Sequence, residues 1–326
     1  MAGRGSRLRP HTLTVPKPLV PVAGKPIVHR LVEDIARMSK DDVDEIAFII
    51  GDFGEAVEAE LRAVAAELGA VGKIYYQNEA LGTAHAVYCA AESLEGPIVV
   101  AFADTLFQAD FSLDQDADGV LYVKQIENPE AFGVVKLDEG GCITEFVEKP
   151  KEFVSDLAMI GIYSFKDGAT LKEEIKYLLD NNIMNGGEYQ LPDALRRLVD
   201  KGTRFKPGKV LEWLDCGNKK VTVYTNQKVL DHTGGSIDSS VKEINSVIIP
   251  PCYIGGGVVL KNSIIGPHVS IGSDTKVENS VIQNTIIQKN SEIENVVLED
   301  SMIGNHVKFE MNAMDVSLGD YSGIDQ

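Results

Sequence analysis

The chain has 326 residues, of which 44% are hydrophobic and 25% are charged, so it can build a sizeable core and is long enough for two domains. Its formal net charge of −18 argues against a nucleic-acid partner or an anionic membrane surface. No apolar run approaches the length of a membrane span, and the N-terminus lacks the apolar core of a signal peptide. We therefore expect a cytoplasmic protein without a membrane partner.

The cysteines give no sign of a disulfide framework or a zinc site. They are widely spaced and form no Cys-x-x-Cys pair. This pattern is typical of reduced, mostly buried thiols in a cytosolic protein. The cysteines are Cys89, Cys142, Cys216 and Cys252.

The N-terminal stretch 2–26 combines glycine, proline and basic residues, which runs against the acidic trend of the chain. Its prolines exclude a helix and make it a poor central strand. Gly3 and Gly5 let the backbone aim N–H groups at an anion. Arg7 can bind phosphate oxygens bidentately, and Lys17 lies between two prolines that hold its charge in place. The stretch therefore predicts a site for an anion.

From about residue 27 to 230, helical and strand patterns alternate. Helices are predicted over 27–38, 54–69 and 83–94, and strands over 45–51, 72–77, 96–104, 119–126, 132–138, 142–150 and 158–165. Such alternation predicts an α/β fold: a Rossmann-like, open, mixed and mainly parallel sheet with helices on both faces.

After about residue 237 the sequence repeats with a period of 16 to 17, in segments 263–279, 280–295 and 296–311. Three apolar positions per repeat indicate triangular coils of short strands that stack around an apolar column. An earlier coil is expected near 246–262, giving about four coils. The equivalent positions are Ile265, Ile282 and Leu298; Ile271, Ile287 and Ile303; and Val277, Ile293 and Phe309. We divide the chain into domains at 1–230 and 237–326.

The N-terminal stretch resembles the signature of the sugar-nucleotide pyrophosphorylases: a glycine-rich turn, then Arg-Leu-x-Pro, then Pro-Lys-Pro. In detail it is most similar to the glucose-1-phosphate thymidylyltransferase branch and its uridylyl relatives. The repeats resemble the left-handed β-helix of hexapeptide-repeat proteins. Further family motifs follow in family order at 80–87, 101–107, 129–138, 146–150, 187–195 and 213–218.

The resemblance implies transfer of a nucleotidyl group from a nucleoside triphosphate to a sugar-1-phosphate, with pyrophosphate released. dTTP or UTP and glucose-1-phosphate are favoured. Arg7 and Lys17 are the implied catalytic residues, and Asp104 and Asp215 the implied ligands of Mg²⁺. The implied nucleotide-binding residues are Gly3, Gly5, Ser6, Gln77, Gly82 and Thr83, and the implied sugar-phosphate-binding residues are Gly133, Glu148, Lys149 and Glu188.

The sequence departs from the family pattern in two places. A hydrophobic strand precedes the glycine loop in the family, whereas Met1 comes directly before it here, so we expect the loop of this chain as written to lack that support. Met159 and Ile160 stand near a position where the family often has asparagine, which leaves the sugar open. The tail 315–326 is interpreted as part of a further coil.

Two other functions remain open from the sequence. One is an acyltransferase, alone or combined with nucleotidyl transfer, for which His268 and His306 are the candidate catalytic residues; His85 is expected to have no chemical role. The other is a non-catalytic regulatory subunit. The β-helix is expected to provide contacts in a homo-oligomer.

Overall fold

The computed structural model describes residues 5–39, 41–108, 117–312, 317 and 319–321. The chain folds as two compact units. The first comprises Met1–Val20 with Lys25–Gly217, and the second comprises Pro21–Gly24 with Asn218–Gln326. The division into domains at 1–230 and 237–326 remains a prediction about which parts of the chain fold independently. Among the described residues, no helix is both long and apolar enough to cross a bilayer.

The helices follow the apolar periodicity of the sequence. In α1, Ile27, Leu31 and Met38 are buried on one face, as their helical spacing predicts. The last helix begins at an asparagine cap, since the Asn218 side chain accepts a hydrogen bond from the Val221 N–H. The helices are α1 (Ile27–Met38), α2 (Glu55–Glu67), α3 (Thr83–Cys89), α4 (Gly168–Asp180), α5 (Leu191–Asp200) and α6 (Lys219–Thr233).

The strands before α6 are two to nine residues long. They are β1 (Pro21–Val22), β2 (Lys25–Pro26), β3 (Glu45–Ile50), β4 (Val71–Tyr76), β5 (Ile98–Ala101), β6 (Thr105–Gln108), β7 (Gly119–Gln125), β8 (Gly133–Leu137), β9 (Ile143–Glu148), β10 (Leu157–Phe165), β11 (Phe205–Lys209) and β12 (Glu212–Asp215). Six of them form one sheet in the order β5-β10-β7-β11-β9-β8. β3 pairs with β4, and β6 pairs with β12.

The predicted α/β class and the mixed sheet are confirmed, but the balance of strand directions differs from the prediction. Among the described strands of the first unit, the parallel pairs are β3–β4 and β7–β11. β10 runs antiparallel to both β5 and β7, and β8–β9 is an antiparallel hairpin. Short connections make antiparallel pairs, whereas parallel pairs need long crossovers. The alternation of helices and strands along the sequence does not show which strands pair antiparallel.

The core of the first unit lies between the six-stranded sheet and helices α3, α4 and α5. Aromatic rings fix the packing, since Phe205 meets Phe146 and Phe165 edge to face at centroid distances of 6.3 and 5.9 Å. Glu174 of α4 is buried in this region, and its carboxylate pairs with Arg197 of α5 at 2.8 Å. The core therefore holds α4 and α5 in fixed positions on the sheet.

The strands of the second unit stack in coils of three. They are β13 (Gly235–Ile237), β14 (Lys242–Ile244), β15 (Val247–Ile248), β16 (Cys252–Ile254), β17 (Val259–Lys261), β18 (Ile264–Ile265), β19 (Val269–Ile271), β20 (Lys276–Glu278), β21 (Val281–Ile282), β22 (Ile286–Ile287), β23 (Glu292–Glu294), β24 (Val297–Leu298), β25 (Met302–Ile303) and β26 (Lys308–Glu310). They form three parallel sheets, β13-β16-β19-β22-β25, β14-β17-β20-β23-β26 and β15-β18-β21-β24. This is the left-handed β-helix predicted from the repeats.

The strand register confirms all nine apolar positions that the repeat aligned. Ile265 pairs with Ile282, and Ile282 with Leu298, in one sheet. The other two triplets pair in the same way. The coil expected near 246–262 is confirmed, since β15, β16 and β17 lie there and pair with the strands of the next repeat. Strands β13 and β14 precede it and were not predicted, because neither strand carries a buried apolar residue.

Helix α6 packs on the β-helix through one buried asparagine. The Asn226 side-chain oxygen accepts hydrogen bonds from the Ser270 hydroxyl at 2.7 Å and from the Ala23 N–H at 2.9 Å. Its amide nitrogen donates to the His268 carbonyl at 3.3 Å. Because these hydrogen bonds are satisfied only in one geometry, the buried amide of Asn226 favours a single packing of α6 on the coils.

Candidate active site

The glycine turn at the N-terminus is positioned by contacts with the residues that follow it. Gly5 has φ +56°, and a Cβ there would lie 3.0 Å from Lys17 Cβ. Its carbonyl accepts hydrogen bonds from the Thr12 hydroxyl at 2.8 Å and from the Leu8 N–H at 3.0 Å. The turn thus requires glycine and lies directly against the segment that carries Lys17. Gly3, the other predicted glycine, lies outside the described residues.

Lys17 is held as a fixed charge next to Asp104. Its side chain is 10% exposed, and Nζ lies 3.0 Å from the Asp104 Oδ2. The short turn Lys17–Leu19 that carries it is closed by the Val20 N–H, which donates to the Lys17 carbonyl. Arg7 and Ser6 of the glycine turn are exposed. The structure therefore places Lys17 against the Asp104 carboxylate, whereas the Arg7 side chain is exposed to solvent.

Asp104 and Asp215 lie side by side because strands β6 and β12 pair antiparallel. Thr105 is opposite Asp215 in this register, and the Cys216 N–H donates to the Asp104 carbonyl at 3.0 Å. Burial raises the pKa of the Asp215 carboxyl, Lys17 lowers it, and the Asp104 carboxylate raises it further; the net direction is upward. The positive charge of Arg7 also reaches Asp215. Four predicted residues thus share one electrostatic environment.

The two carboxylates fit the donor set that Mg²⁺ uses. Magnesium is usually held by one or two carboxylates, with water and substrate phosphate oxygens completing its shell. Asp104 and Asp215 supply two carboxylates. Their negative charges repel each other, and a divalent cation between them would offset this repulsion. In the part of the chain that the structure describes, no group of three or more acids, histidines or cysteines forms a cation site.

The predicted base-recognition residues are tied to one another. The Gln77 side-chain nitrogen donates to the Gly82 carbonyl at 3.0 Å and lies 3.1 Å from His85 Nδ1. Thr83 is the first residue of α3, and its hydroxyl accepts a hydrogen bond from the Leu191 N–H at 2.9 Å. His85 therefore contacts the amide of Gln77, which was not predicted from the sequence.

Gly82 is required by a close backbone approach. It has φ +107°, and a Cβ there would lie 2.4 Å from the Tyr189 carbonyl oxygen. The Tyr189 N–H donates to the Leu81 carbonyl, and the Ala84 N–H donates to the Tyr189 carbonyl. This contact places Glu188, a predicted sugar residue, beside the predicted nucleotide segment.

The sugar-side residues Gly133 and Glu148 face each other across the β8–β9 hairpin. A Cβ at Gly133 would lie 2.7 Å from the Glu148 Oε2 and 2.6 Å from the Met159 Cε. Burial raises the pKa of the Tyr163 phenol above its ordinary value, and the nearby Glu148 carboxylate adds to the rise. Met159, noted in the sequence as a departure from the family pattern, therefore lies against this pair.

Lys149 follows the hairpin with an unusual backbone. It has φ +44°, and its N–H donates to the Phe132 carbonyl at 3.1 Å. The Phe132 ring meets Trp213 at a centroid distance of 4.7 Å. Trp213 precedes Asp215 by two residues on β12. This ring contact joins the sugar-side hairpin to the strand that carries the second carboxylate.

The candidate acyltransferase histidine His268 takes part in packing within the second unit. Its Nε2 lies 2.7 Å from the Asp231 carboxylate of α6, and its side chain is 18% exposed. His306 has φ +58°, and its N–H donates to the Lys289 carbonyl of the preceding coil. Both residues occupy corners of the β-helix.

The α/β unit places a basic glycine turn beside paired carboxylates, which are groups suited to binding a phosphate anion and a divalent cation. The family model described as "Nucleotidyl transferase" matches residues 1–232. The chain belongs to this family, and the comparisons support a place among the sugar-1-phosphate nucleotidyltransferases. A second model, "GlmU-like, C-terminal hexapeptide", matches residues 232–311.

Relatives match almost the whole chain. A glucose-1-phosphate thymidylyltransferase of Streptomyces antibioticus is 30% identical over 99% of this chain and 97% of its own length. The bifunctional protein GlmU of Methanocaldococcus jannaschii is 31% identical over 97% of this chain and 79% of its own length. The solved UDP-glucose pyrophosphorylase of Acinetobacter baumanii has a TM-score of 0.57 at 20% identity, covering 71% of this chain and 92% of its own. At that identity, the structural match supports the fold alone.

Proposed function

We propose that the chain transfers a nucleotidyl group from dTTP or UTP to glucose-1-phosphate and releases pyrophosphate. The observation that carries this proposal is the cluster of Lys17, Asp104 and Asp215 beside the glycine turn at Gly5. The base and the sugar are supported by the names of the relatives, which include a glucose-1-phosphate thymidylyltransferase. Because GlmU proteins are relatives of similar identity, a sugar-1-phosphate other than glucose-1-phosphate is the main alternative substrate.

The proposed reaction is a direct displacement. An oxygen of the sugar phosphate forms a bond to the α-phosphorus, and the bond from that phosphorus to the oxygen bridging to the β-phosphate breaks. Pyrophosphate leaves with the electron pair, and no side chain acts as a nucleophile. Lys17 and Arg7 offset the negative charge that develops on the leaving group. Lys17 is already fixed at 10% exposure, so little reorganisation is needed when substrate binds.

Asp104 and Asp215 are the residues that would hold Mg²⁺. When bound, the cation supplies polarisation of the α-phosphate and neutralises charge on the triphosphate. The protein's own part is to keep the two carboxylates together through the β6–β12 pairing and to keep Lys17 against Asp104.

Recognition is assigned to the two segments on either side of the cluster. Gln77, oriented by Gly82 and His85, is proposed to read the edge of the base. Glu148 and Glu188 are proposed to accept hydrogen bonds from sugar hydroxyls. Lys149 and Gly133 are proposed to contact the sugar phosphate, with Thr83 and Ser6 on the nucleotide side.

The test is pyrophosphate release by the full chain with Mg²⁺. We would combine dTTP, UTP, ATP, CTP and GTP with glucose-1-phosphate and other sugar-1-phosphates. Release that requires both a sugar phosphate and either dTTP or UTP is expected. Release without any sugar phosphate would mean hydrolysis instead, and no release from the folded chain with any pair would favour a regulatory subunit.

A further inference from the structure

The amide nitrogen of Gln77 lies between two hydrogen-bond acceptors. It donates to the Gly82 carbonyl at 3.0 Å and lies 3.1 Å from His85 Nδ1. A side-chain amide nitrogen carries two hydrogens, so one hydrogen can point to each acceptor. Among the described residues, none donates to the amide oxygen of Gln77. The amide therefore has its donors engaged and its acceptor available to a ligand.

The Gly82 carbonyl determines which end of the Gln77 amide is the nitrogen. A carbonyl oxygen can only accept hydrogen bonds, so the amide atom that contacts it must be the donor. This carbonyl also accepts from the Ala86 N–H at 3.0 Å in the first turn of α3. Turning the Gln77 oxygen toward it would place two acceptors against each other, which is unfavourable.

The same network assigns the proton on the ring of His85. Because the Gln77 nitrogen is a donor, His85 Nδ1 must accept, and the neutral ring then carries its proton on Nε2. Gly82 is the N-cap residue of α3, and His85 is the third residue of that helix. Both acceptors of the Gln77 amide therefore belong to one helical turn.

Backbone contacts hold the amide and its two acceptors in place. The Ala84 N–H donates to the Tyr189 carbonyl at 2.9 Å, and the Tyr189 N–H donates to the Leu81 carbonyl at 2.8 Å. The Gln77 N–H donates to the carbonyl of Ile50, the last residue of β3, at 2.8 Å. The orientation of the Gln77 amide is thus built into the fold before a ligand binds.

We propose that His85 is a specificity-determining residue for the base, acting through Gln77. It engages the amide hydrogen that could otherwise donate to a ligand, so Gln77 can only accept and selects a base edge that donates. Uracil and thymine present N3–H, whereas cytosine presents an N3 lone pair. The inference rests on the proposed function for the position of the base, and it gives His85 a role that the sequence did not predict.

UTP and CTP provide the sharpest comparison, because their bases differ only in the groups at C4 and N3. With UTP, the N3–H donates to the Gln77 oxygen. With CTP, two acceptors face each other and neither is satisfied. A site built to hydrogen-bond one partner rejects such an analogue strongly, so we expect UTP to bind about 10- to 100-fold more tightly than CTP.

The test is isothermal titration calorimetry of the full chain with UTP and with CTP, in the presence of Mg²⁺ and without a sugar phosphate. His85→Asn places Oδ1 where the ring has Nδ1, so it keeps an acceptor and should retain the preference for UTP within about threefold. His85→Leu has the shape of asparagine without an acceptor. There the preference should fall about tenfold, because the released N–H of Gln77 can donate to cytosine N3. His85→Ala removes the same acceptor and should give the same fall.

A double-mutant cycle tests whether His85 acts through Gln77. Gln77→Leu should lose the preference by itself, and adding His85→Leu should change the ratio of the two Kd values by less than about twofold. Circular dichroism verifies that each variant is folded.

Three results would overturn the proposal: a wild type that binds UTP no more tightly than CTP, an unchanged ratio of Kd values in folded His85→Leu or His85→Ala, or an equal effect of His85→Leu with and without Gln77. The measurement requires no turnover. A chain that binds UTP selectively and releases no pyrophosphate would therefore contradict the proposed function and still support the role of His85.

Discussion

The polar groups of the two units are arranged in opposite ways. In the β-helix, asparagines at the coil corners satisfy one another, with Asn262 donating to Asn279 at 3.1 Å and Asn279 to Asn295 at 3.2 Å. In the first unit, Asp104 and Asp215 are placed together although their charges oppose each other, and burial raises the pKa of Asp215. The first arrangement stabilises the fold, whereas the second keeps like charges close together, a repulsion that Lys17 offsets in part and a bound cation would offset further.

This difference predicts which substitutions should lower the stability of the fold and which should lower catalytic activity. Side chains of the coils should affect stability and leave the chemistry of the folded chain unchanged. Side chains of the carboxylate cluster should affect chemistry and change stability little, since strained or like-charged groups are typical of functional sites.

The largest expected effect is on activity at Lys17. Lys17→Ala removes a fixed cation 3.0 Å from Asp104, so we expect kcat for pyrophosphate release to fall by about 100-fold or more. The melting temperature should change little. Lys25→Ala is the control, because Lys25 is an exposed lysine that pairs with Glu33 away from the cluster. Equal activity in both variants would remove Lys17 from the mechanism.

The apolar column of the β-helix should show the opposite behaviour. Ile271 is fully buried and pairs with Ile254 and Ile287 in neighbouring coils. Ile271→Ala should lower the free energy of unfolding by about 4 kcal/mol, because it leaves a cavity in a column that cannot collapse. Chemical denaturation measures this, and kcat below the melting transition should be unchanged. A loss of kcat in the folded variant would contradict the separation of the two units.

Gly82 is a residue at which a close backbone contact of the first unit holds the candidate site in place. Gly82→Ala forces a Cβ to within 2.4 Å of the Tyr189 carbonyl at φ +107°, so we expect a loss of about 3 kcal/mol in the free energy of unfolding. Gly96 has φ +64° with open space around it, so Gly96→Ala should cost about 1 kcal/mol. Similar losses in the two variants would mean that backbone strain, and not the contact with Tyr189, requires glycine at residue 82.

The asparagine ladder should give the smallest effect. Asn262 has φ +49°, which alanine adopts at a cost of about 1 to 2 kcal/mol. Asn262→Ala is therefore expected to destabilise by about 1.5 kcal/mol, and Asn262→Gly by about 0.5 kcal/mol, since glycine accepts that backbone. Thermal denaturation of the pair distinguishes backbone strain from the lost amide bond. Equal destabilisation by both would assign the effect to the hydrogen bonds of the ladder.

The β-helix could be predicted in detail from the sequence because its contacts are local. Each coil contacts the coil 16 or 17 residues away, so aligning the repeats also aligned the strands, and residues such as Ile265, Ile282 and Leu298 came out in register. Strands β13 and β14 were not predicted, because Glu243 stands in the register where the later coils have Leu260 and Val277, so the apolar repeat is lost there.

In the first unit, most elements up to about residue 165 were predicted, whereas α4, α5, β6, β11 and β12 were not named from the sequence. The grouping of Asp104 and Asp215 was implied by the family resemblance, and the strand order was not predicted. Helix α1 and strand β3 follow local periodicity, whereas the position of β10 between β5 and β7 depends on long-range pairing. Contacts between side chains that are distant in the sequence were also not predictable from it. Nothing in the spacing of Phe132 and Trp213, or of Gln77 and His85, indicates that they meet.

The central claim is that the paired carboxylates Asp104 and Asp215 are the centre of nucleotidyl transfer. The most direct measurement is single-turnover pyrophosphate release from dTTP or UTP with glucose-1-phosphate and Mg²⁺, comparing wild type, Asp215→Asn and the exposed control Asp180→Asn. We predict rapid single-exponential release in wild type and in the control, and a rate at least about 100-fold lower in Asp215→Asn, with the fold intact. Equal rates in all three proteins would contradict the claim.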